Sequence, residues 1–265
     1  MLENINTVLG KINDFVWGVP LIVLILAAGI FLTIRLKGIQ VTKLGKGFKL
    51  MFAKVEQDGH GEISSFGALC TALSATIGTG NIVGVATAIV TGGPGALFWM
   101  WIAALFGTAT KFSECMLAVK YRTIAEDGHV VGGPFYYIEN GMGKNWKWLA
   151  KIFAFFGVCV GLFSIGTFTQ VNGISSAVKN FFDPDTKHVA FKLFGIEYSW
   201  TIVISGIILT ICVGLVIIGG LKRITNVAQV VVPFMAILYV ITALLVIIFN
   251  IDKVPGAFKE IIEGA

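Results

Sequence analysis

Charge is what this chain has least of. Asp, Glu, Lys and Arg make up 13% of its 265 residues, against 56% hydrophobic residues. A soluble domain of this length needs far more polar surface to wrap its core, so the composition excludes that class. Cysteine is scarce, with four residues, and histidine scarcer, with three. Cys70, Cys115, Cys159 and Cys212 all fall inside apolar stretches and show no C-x-x-C spacing. They imply neither a disulfide framework nor a zinc site and read as small buried packing residues. His60, His129 and His188 stand apart from one another in loops and read as solvated. No nucleophile, base and oxyanion donor come together in the sequence, so the chain is not read as an enzyme. Gly78-Thr79-Gly80 is a weak match to a nucleotide loop, because no strand precedes it, no acidic residue follows about 20 positions on, and no Gly-Lys-Ser/Thr ending closes it.

Long apolar runs are what the chain has in abundance, and its mean hydropathy is +0.85. Stretches at 15–34, 64–91, 96–119, 149–178, 200–220 and 226–249 each exceed the roughly 18 apolar residues that indicate a membrane span. The fourth is long enough that it must tilt or protrude. The first is too long for a signal-peptide core and lacks a basic flank before it, so it reads as a retained helix. An all-α polytopic protein of the cell (plasma) membrane follows, with the lipid bilayer as its surroundings.

The few charges set the orientation. Arg35, Lys37, Lys43, Lys46, Lys49 and Lys54 lie between the first two spans. Lys120, Arg122, Lys144, Lys147 and Lys151 lie between the third and fourth, and Lys222 and Arg223 follow the fifth. Lys11, Lys179, Lys187, Lys192, Lys253 and Lys259 fall on the opposite side, about half as many. The richer loops belong to the cytoplasm, and both ends of the chain face out. The net charge of +5 is thereby explained by the inner membrane surface rather than by nucleic acid, which is not a partner.

Within the second span, Ser74-Ala75-Thr76-Ile77-Gly78-Thr79-Gly80-Asn81 should unwind helix where lipid makes unwinding most costly. Each glycine costs about 1 kcal/mol relative to alanine in a helix, and each freed N–H or C=O in a bilayer costs several kcal/mol unless satisfied. Carbonyls around Ser74, Thr76 and Ile77, with the Asn81 side chain, would suit a cation. The N–H groups of Thr79, Gly80 and Asn81 would suit a carboxylate. A zwitterion plus a metal cation fits both ends. A glycine-rich helix with hydroxyls bonded to its own backbone is the other reading.

Other polar residues are sparse. Ser164, Thr167 and Gln170 recur on one face of the fourth span, with Gly157 and Gly161 placed to admit another backbone. Gln170 either bonds a bound amino acid or ties two helices together. Asn172, Ser175 and Ser176 lie further outward, at an entry path or headgroup level. Lys111 and Glu114 stand at i, i+3 in the cytoplasmic half of the third span, as an ion pair or an inner gate. Pro233 is expected to kink the sixth span, and Asn226 and Gln229 near its inner end suit caps or gate residues.

The block from Gly67 to Ala86 containing Ser74-Ala75-Thr76-Ile77-Gly78-Thr79-Gly80-Asn81, with Gly92-Gly93-Pro94-Gly95, Lys111-Phe112-Ser113-Glu114 and Gly132-Gly133-Pro134-Phe135-Tyr136-Tyr137-Ile138, closely resembles the alanine/glycine:cation symporter family, the sodium:alanine symporters. The resemblance implies a LeuT-like fold of two inverted five-helix repeats, with substrate and Na⁺ near the midplane. On that mapping 1–265 is a single transmembrane domain. Residues 15–34 form an extra helix, 64–249 the first repeat, and 250–265 a connector to a second half that is absent from this chain. Thr79, Gly80, Asn81 and Gln170 would touch substrate, and Ser74, Thr76 and Ile77, with Asn81, would face Na⁺.

Sodium-coupled symport of alanine or glycine by alternating access is therefore expected, with Na⁺ as coupling ion and no other cofactor. An ion channel or a non-transporting membrane scaffold is the alternative.

Overall fold

Helix boundaries fall where the sequence removes a backbone donor or supplies a cap. The computed structural model describes residues 2–52, 63–126, 128–163, 165–185, 189–193 and 196–265. Lys54, Ser164, Lys187, His60 and His188 lie outside the described residues. The chain opens with α1 (Leu2–Val16) and α2 (Val19–Arg35), parted at Gly18. Pro20 sits in the first turn of α2, where its missing N–H goes unneeded. Two short helices follow, α3 (Ile39–Thr42) and α4 (Leu44–Met51).

Next come α5 (Ser65–Thr76), a 3-10 turn at Thr79–Asn81, and α6 (Val83–Gly92). The Ser64 hydroxyl oxygen caps α5 by accepting from the Gly67 N–H at 3.1 Å. Beyond them lie α7 (Gly95–Lys120), a small antiparallel hairpin of β1 (Thr123–Ile124) with β2 (Val130–Val131), and α8 (Pro134–Met142). The fourth apolar stretch forms α9 (Lys147–Leu162) and α10 (Ile165–Phe182). A second antiparallel hairpin pairs β3 (Val189–Leu193) with β4 (Ile196–Ser199). The chain finishes through α11 (Trp200–Ile217), α12 (Gly220–Phe249) and α13 (Val254–Glu263).

Five of these helical stretches are long and apolar enough to cross a membrane: Asn6–Arg35, Gly95–Lys120, Lys144–Phe182, Trp200–Ile217 and Gly220–Phe249. A multi-pass, predominantly helical membrane protein results, with two short hairpins that the hydropathy pattern did not announce. The second expected span, at 64–91, is divided between α5 and α6, of 12 and 10 residues. The span expected at 149–178 carries α9 and α10, on either side of Ser164, and the Phe163 N–H continues the α9 pattern by bonding the Cys159 carbonyl at 3.0 Å. The helix expected from 226 starts at Gly220, so Asn226 lies well inside it and is not a cap. Arg223, near that start, turns back and donates from Nη1 to the Leu215 carbonyl at 3.1 Å, covering the end of α11.

The chain forms two compact units. One comprises Met1–Leu50, Pro94–Phe153 and Glu260–Ala265. Here α2 packs along α7, and α3 and α8 also rest on α7. Gly29 permits the closest approach, because a Cβ there would stand 2.9 Å from the Phe106 Cβ and 3.0 Å from its carbonyl oxygen.

The other unit comprises Met51–Gly93 and Ala154–Lys259. In it α5 packs along α12, and α11 packs against both α10 and α12. Cys70, Ala228 and Val232 form its buried cluster, with Phe66 and Leu73 against it. The Thr71 and Thr225 hydroxyls lie 3.1 Å apart across the same seam. Cys70 is thus a buried packing residue, whereas Cys115 and Cys212 are exposed and depart from that expectation. Pro233 lies inside α12 without ending it, and its ring removes the donor that would serve the Gln229 carbonyl.

The contact at Gly29 yields a stability test. Its neighbours are a Cβ and main-chain atoms rather than the tip of a flexible side chain, so a methyl can be admitted only if α2 and α7 separate. Gly29→Ala is expected to cost about 1–3 kcal/mol, read as a lower unfolding midpoint in detergent than that of a Gly107→Ala control. An unchanged midpoint would disprove the tight α2 and α7 contact.

Candidate functional site

The break at residues 77–82 can be followed donor by donor. The last helical bond of α5 runs from the Ile77 N–H to the Leu73 carbonyl at 2.8 Å. Gly78 is then extended, at φ −147° and ψ −166°, and its N–H donates to the Asn81 Oδ1 at 3.1 Å instead of to Ser74. The Thr79 N–H, which a continuous helix would send to Ala75, donates to the Gln170 Oε1 at 2.8 Å. The Asn81 N–H turns to the Gly78 carbonyl at 3.1 Å, not to Ile77. The Ile82 N–H reaches the Thr79 carbonyl at 3.2 Å, and α6 takes over from there.

A polarity imbalance follows. The N–H groups of Gly78, Thr79 and Asn81 are engaged, while the carbonyls of Ser74, Ala75 and Ile77 have lost the donors that α-helix would have given them. The hydroxyls nearby do not compensate. Ser74 Oγ donates to the Thr71 carbonyl at 2.7 Å, and Thr76 Oγ1 donates back to the Ala72 carbonyl. Excess acceptor oxygen at a helix C-terminus attracts positive charge.

Gln170 is held against this break from α10. Its Oε1 accepts from both the N–H and the hydroxyl of Thr79, at 2.8 and 3.0 Å. The approach is close enough that a Cβ on Gly78 would stand 2.4 Å from the Gln170 Nε2. Gly78 is therefore required by proximity and not by its backbone angles. One turn along α10, Gly173 accommodates the Thr79 side chain, whose Cγ2 would lie 2.7 Å from a Cβ there.

Of the residues singled out in the sequence, Ser74, Thr76, Ile77, Thr79, Gly80, Asn81 and Gln170 all belong to one unit. Contacts tie Thr79 to Gln170, and Gly78 to both Gln170 and Asn81. Open space surrounds the Cβ direction of Gly80. Gly173 escaped the sequence reading, although its i, i+3 spacing from Gln170 marked it. Gly157 and Gly161, chosen there for close approach, have no atom near their Cβ directions among the described residues. Gln229, expected near a helix end, packs with Thr225 against Gly67. An apolar groove of about 600 Å³ between α10 and α11, lined by residues such as Ile174, Trp200 and Ile204, contains none of these site residues.

Lys111 and Glu114 belong to the first unit and form the ion pair that their spacing suggested, at 3.1 Å on an exposed face of α7. Tyr137 on α8 feels the same carboxylate. Burial raises its phenol above the ordinary value, Glu114 raises it further, and Lys111 opposes both.

The Gly78 and Gln170 contact should show compensation. Gln170→Ala leaves two Thr79 donors without an acceptor and is expected to cost about 1–3 kcal/mol. Gly78→Ala pushes a methyl into the Gln170 amide. The double variant relieves that clash, so its loss in unfolding midpoint should be clearly smaller than the sum of the two single losses. Strict additivity would show that the two residues do not touch.

Known proteins give this arrangement a context. The family model described as "Sodium:alanine symporter family" matches residues 2–265. An uncharacterized transporter of Haemophilus influenzae is 51% identical over 98% of this chain and 53% of its own length. The sodium/alanine symporter AgcS of Methanococcus maripaludis is 43% identical over 98% of this chain and 54% of its own. A probable sodium/glutamine symporter of Bacillus subtilis is 36% identical over the whole chain and 51% of its own length. The chain spans about half the length of the curated relatives it matches. The family match extends over nearly all of it and lends no support to the expectation of an absent second half. These are carriers and not enzymes, and by the match over residues 2–265 the chain belongs to the sodium:alanine symporter family.

Proposed function

We propose that the protein carrying this chain is a secondary active transporter, which moves a small neutral amino acid such as alanine or glycine together with Na⁺ by alternating access. The observation that supports this most is the surplus of carbonyl oxygen at the broken helix. Ser74, Ala75 and Ile77 lack their helical donors, and neutral carbonyl oxygens suit a hard monovalent cation, whose hydration shell they can replace. The backbone at Ser74, Thr76 and Ile77 would coordinate Na⁺. Asn81 would add its Oδ1, which has a second lone pair beyond the one used by Gly78.

Substrate would lie on the other side of the break, against Thr79, Gly80, Asn81 and Gln170. The Thr79 N–H is already committed to Gln170, so a carboxylate must either displace that amide oxygen or use the Gln170 Nε2 and the Gly80 N–H. The space beside Gly80 accords with a small side chain. Two relatives whose names state a substrate, the sodium/alanine symporter and the probable sodium/glutamine symporter, pair sodium with a neutral amino acid. On this reading 64–249 is the first five-helix repeat of a LeuT-like arrangement, 15–34 an extra helix, and 250–265 a connector. Lys111 and Glu114 would form an inner gate.

Coupling is the decisive property. Na⁺ is expected to tighten alanine binding by about 5- to 150-fold, measured by calorimetry in sodium and in choline. Equal affinity in the two salts refutes the coupling. Asn81→Ala should weaken both ligands, and vesicles holding the protein should concentrate alanine against its gradient when an inward Na⁺ gradient is imposed. Uptake that stops at equal concentrations would indicate a channel.

A further inference from the structure

A second surface is built at the inner end of α2, unrelated to the broken helix. From Arg35 to Met51 the chain has five basic residues and no acidic one. The transmembrane direction ends there by a defined turn. Lys37 and Gly38 are both left-handed, at φ 55° and 62°. The Leu36 N–H bonds the Leu32 carbonyl at 2.9 Å and the Gly38 N–H bonds the Thr33 carbonyl at 2.8 Å. The Gln40 amide then donates to the Thr33 hydroxyl at 3.0 Å, and α3 rests on α7. This fixes the start of α4 just beyond the end of α2.

At about 3.6 residues per turn, α4 gathers Leu44, Phe48 and Met51 on one face. Lys46 and Lys49 lie on the other, and Lys43 immediately precedes the helix. Most of this apolar face is open, with Leu44 and Phe48 each 57% exposed, while Met51 is half-buried. Nothing approaches the Cβ directions of Gly45 or Gly47. No ion pair among the described residues engages Lys43, Lys46 or Lys49.

We infer that α4 is an interfacial anchor that lies in the plane of the cytoplasmic leaflet, with Leu44, Phe48 and Met51 among the acyl chains and Lys43, Lys46 and Lys49 on anionic phospholipid headgroups. The positive-inside asymmetry of the chain places this segment on that leaflet. An apolar face bordered by cations suits a surface that is apolar below and anionic above. Long lysine side chains reach from the helix flank to the phosphates. The left-handed turn at Lys37 and Gly38 redirects the chain from the crossing helix to the plane of the leaflet. The occupant is thus the lipid surface and not a second protein.

The test uses Phe48→Trp in the protein carrying this chain, reconstituted in phosphatidylcholine vesicles containing phosphatidylglycerol. The new indole is expected to be quenched by lipids brominated near the headgroup and protected from aqueous iodide. A Lys46→Trp variant should remain open to iodide. Changing Lys43, Lys46 and Lys49 together to Gln should lower the boundary preference for spin-labelled phosphatidylglycerol over phosphatidylcholine by about fivefold or more. Quenching of Trp at position 48 by iodide alone would place α4 in water, and shielding from both quenchers would place protein over it. Either result overturns the inference, as does an unchanged lipid preference.

Discussion

One side-chain oxygen allows a helix to stop inside an apolar stretch. Gln170 Oε1 accepts two hydrogen bonds from Thr79, at 2.8 and 3.0 Å, and so satisfies a backbone donor that lipid could not. In a bilayer the alternative to such a partner is a penalty of several kcal/mol per group. Asn81 performs the same service for Gly78 from within the break. Three of the four donors between Gly78 and Asn81 are therefore closed internally, while among the described residues the Gly80 N–H and the carbonyls of Ser74, Ala75 and Ile77 keep no helical partner. Pairing of a freed donor with a side chain from another helix distinguishes this break from a flexible glycine-rich helix.

Glycine serves contact more than conformation at this site. Gly67, Gly78 and Gly173 each admit a side chain from a neighbouring element, respectively Thr225 with Gln229, Gln170, and Thr79. None of the three has a positive φ. They let α5 sit on α12 and the break sit on α10, with polar groups paired across both seams. Thr71 with Thr225 and Thr79 with Gln170 are the two pairs. Without a hydrophobic driving force between helices in lipid, close packing and such pairs are what hold neighbouring helices together.

The sequence made the position of the break legible, because two glycines, β-branched residues and an asparagine in one short run are incompatible with an uninterrupted helix. It did not reveal where the freed donors go. Gln170 lies 91 residues from Thr79, and both roles that its position suggested, helix tie and substrate contact, begin from the same amide. Asn226 was misplaced because Lys222 and Arg223 look like loop residues by charge, while Arg223 is spent capping the preceding helix. Cys115 and Cys212 illustrate the limit of residue-type preferences in a membrane chain, where an apolar span is apolar all round and its composition does not say which face is buried.

On the proposed reading, the imbalance of donors and acceptors also orders the two ligands. A cation can enter the carbonyl side without breaking any bond now present, because Ser74, Ala75 and Ile77 have no helical donor to give up and Asn81 Oδ1 keeps a lone pair. A carboxylate meets the opposite situation. It must compete with Gln170 for the Thr79 N–H, and it gains only where the exchange costs less than the bonds it makes. Positive charge already held on the carbonyl side offsets part of that cost, since it sits within a few residues of the incoming anion in a medium of low dielectric. Linkage then requires the substrate to strengthen cation binding by the same factor. Coupling in this scheme needs no distant relay, because Ile77 on the cation side and Thr79 on the substrate side stand two residues apart in the chain.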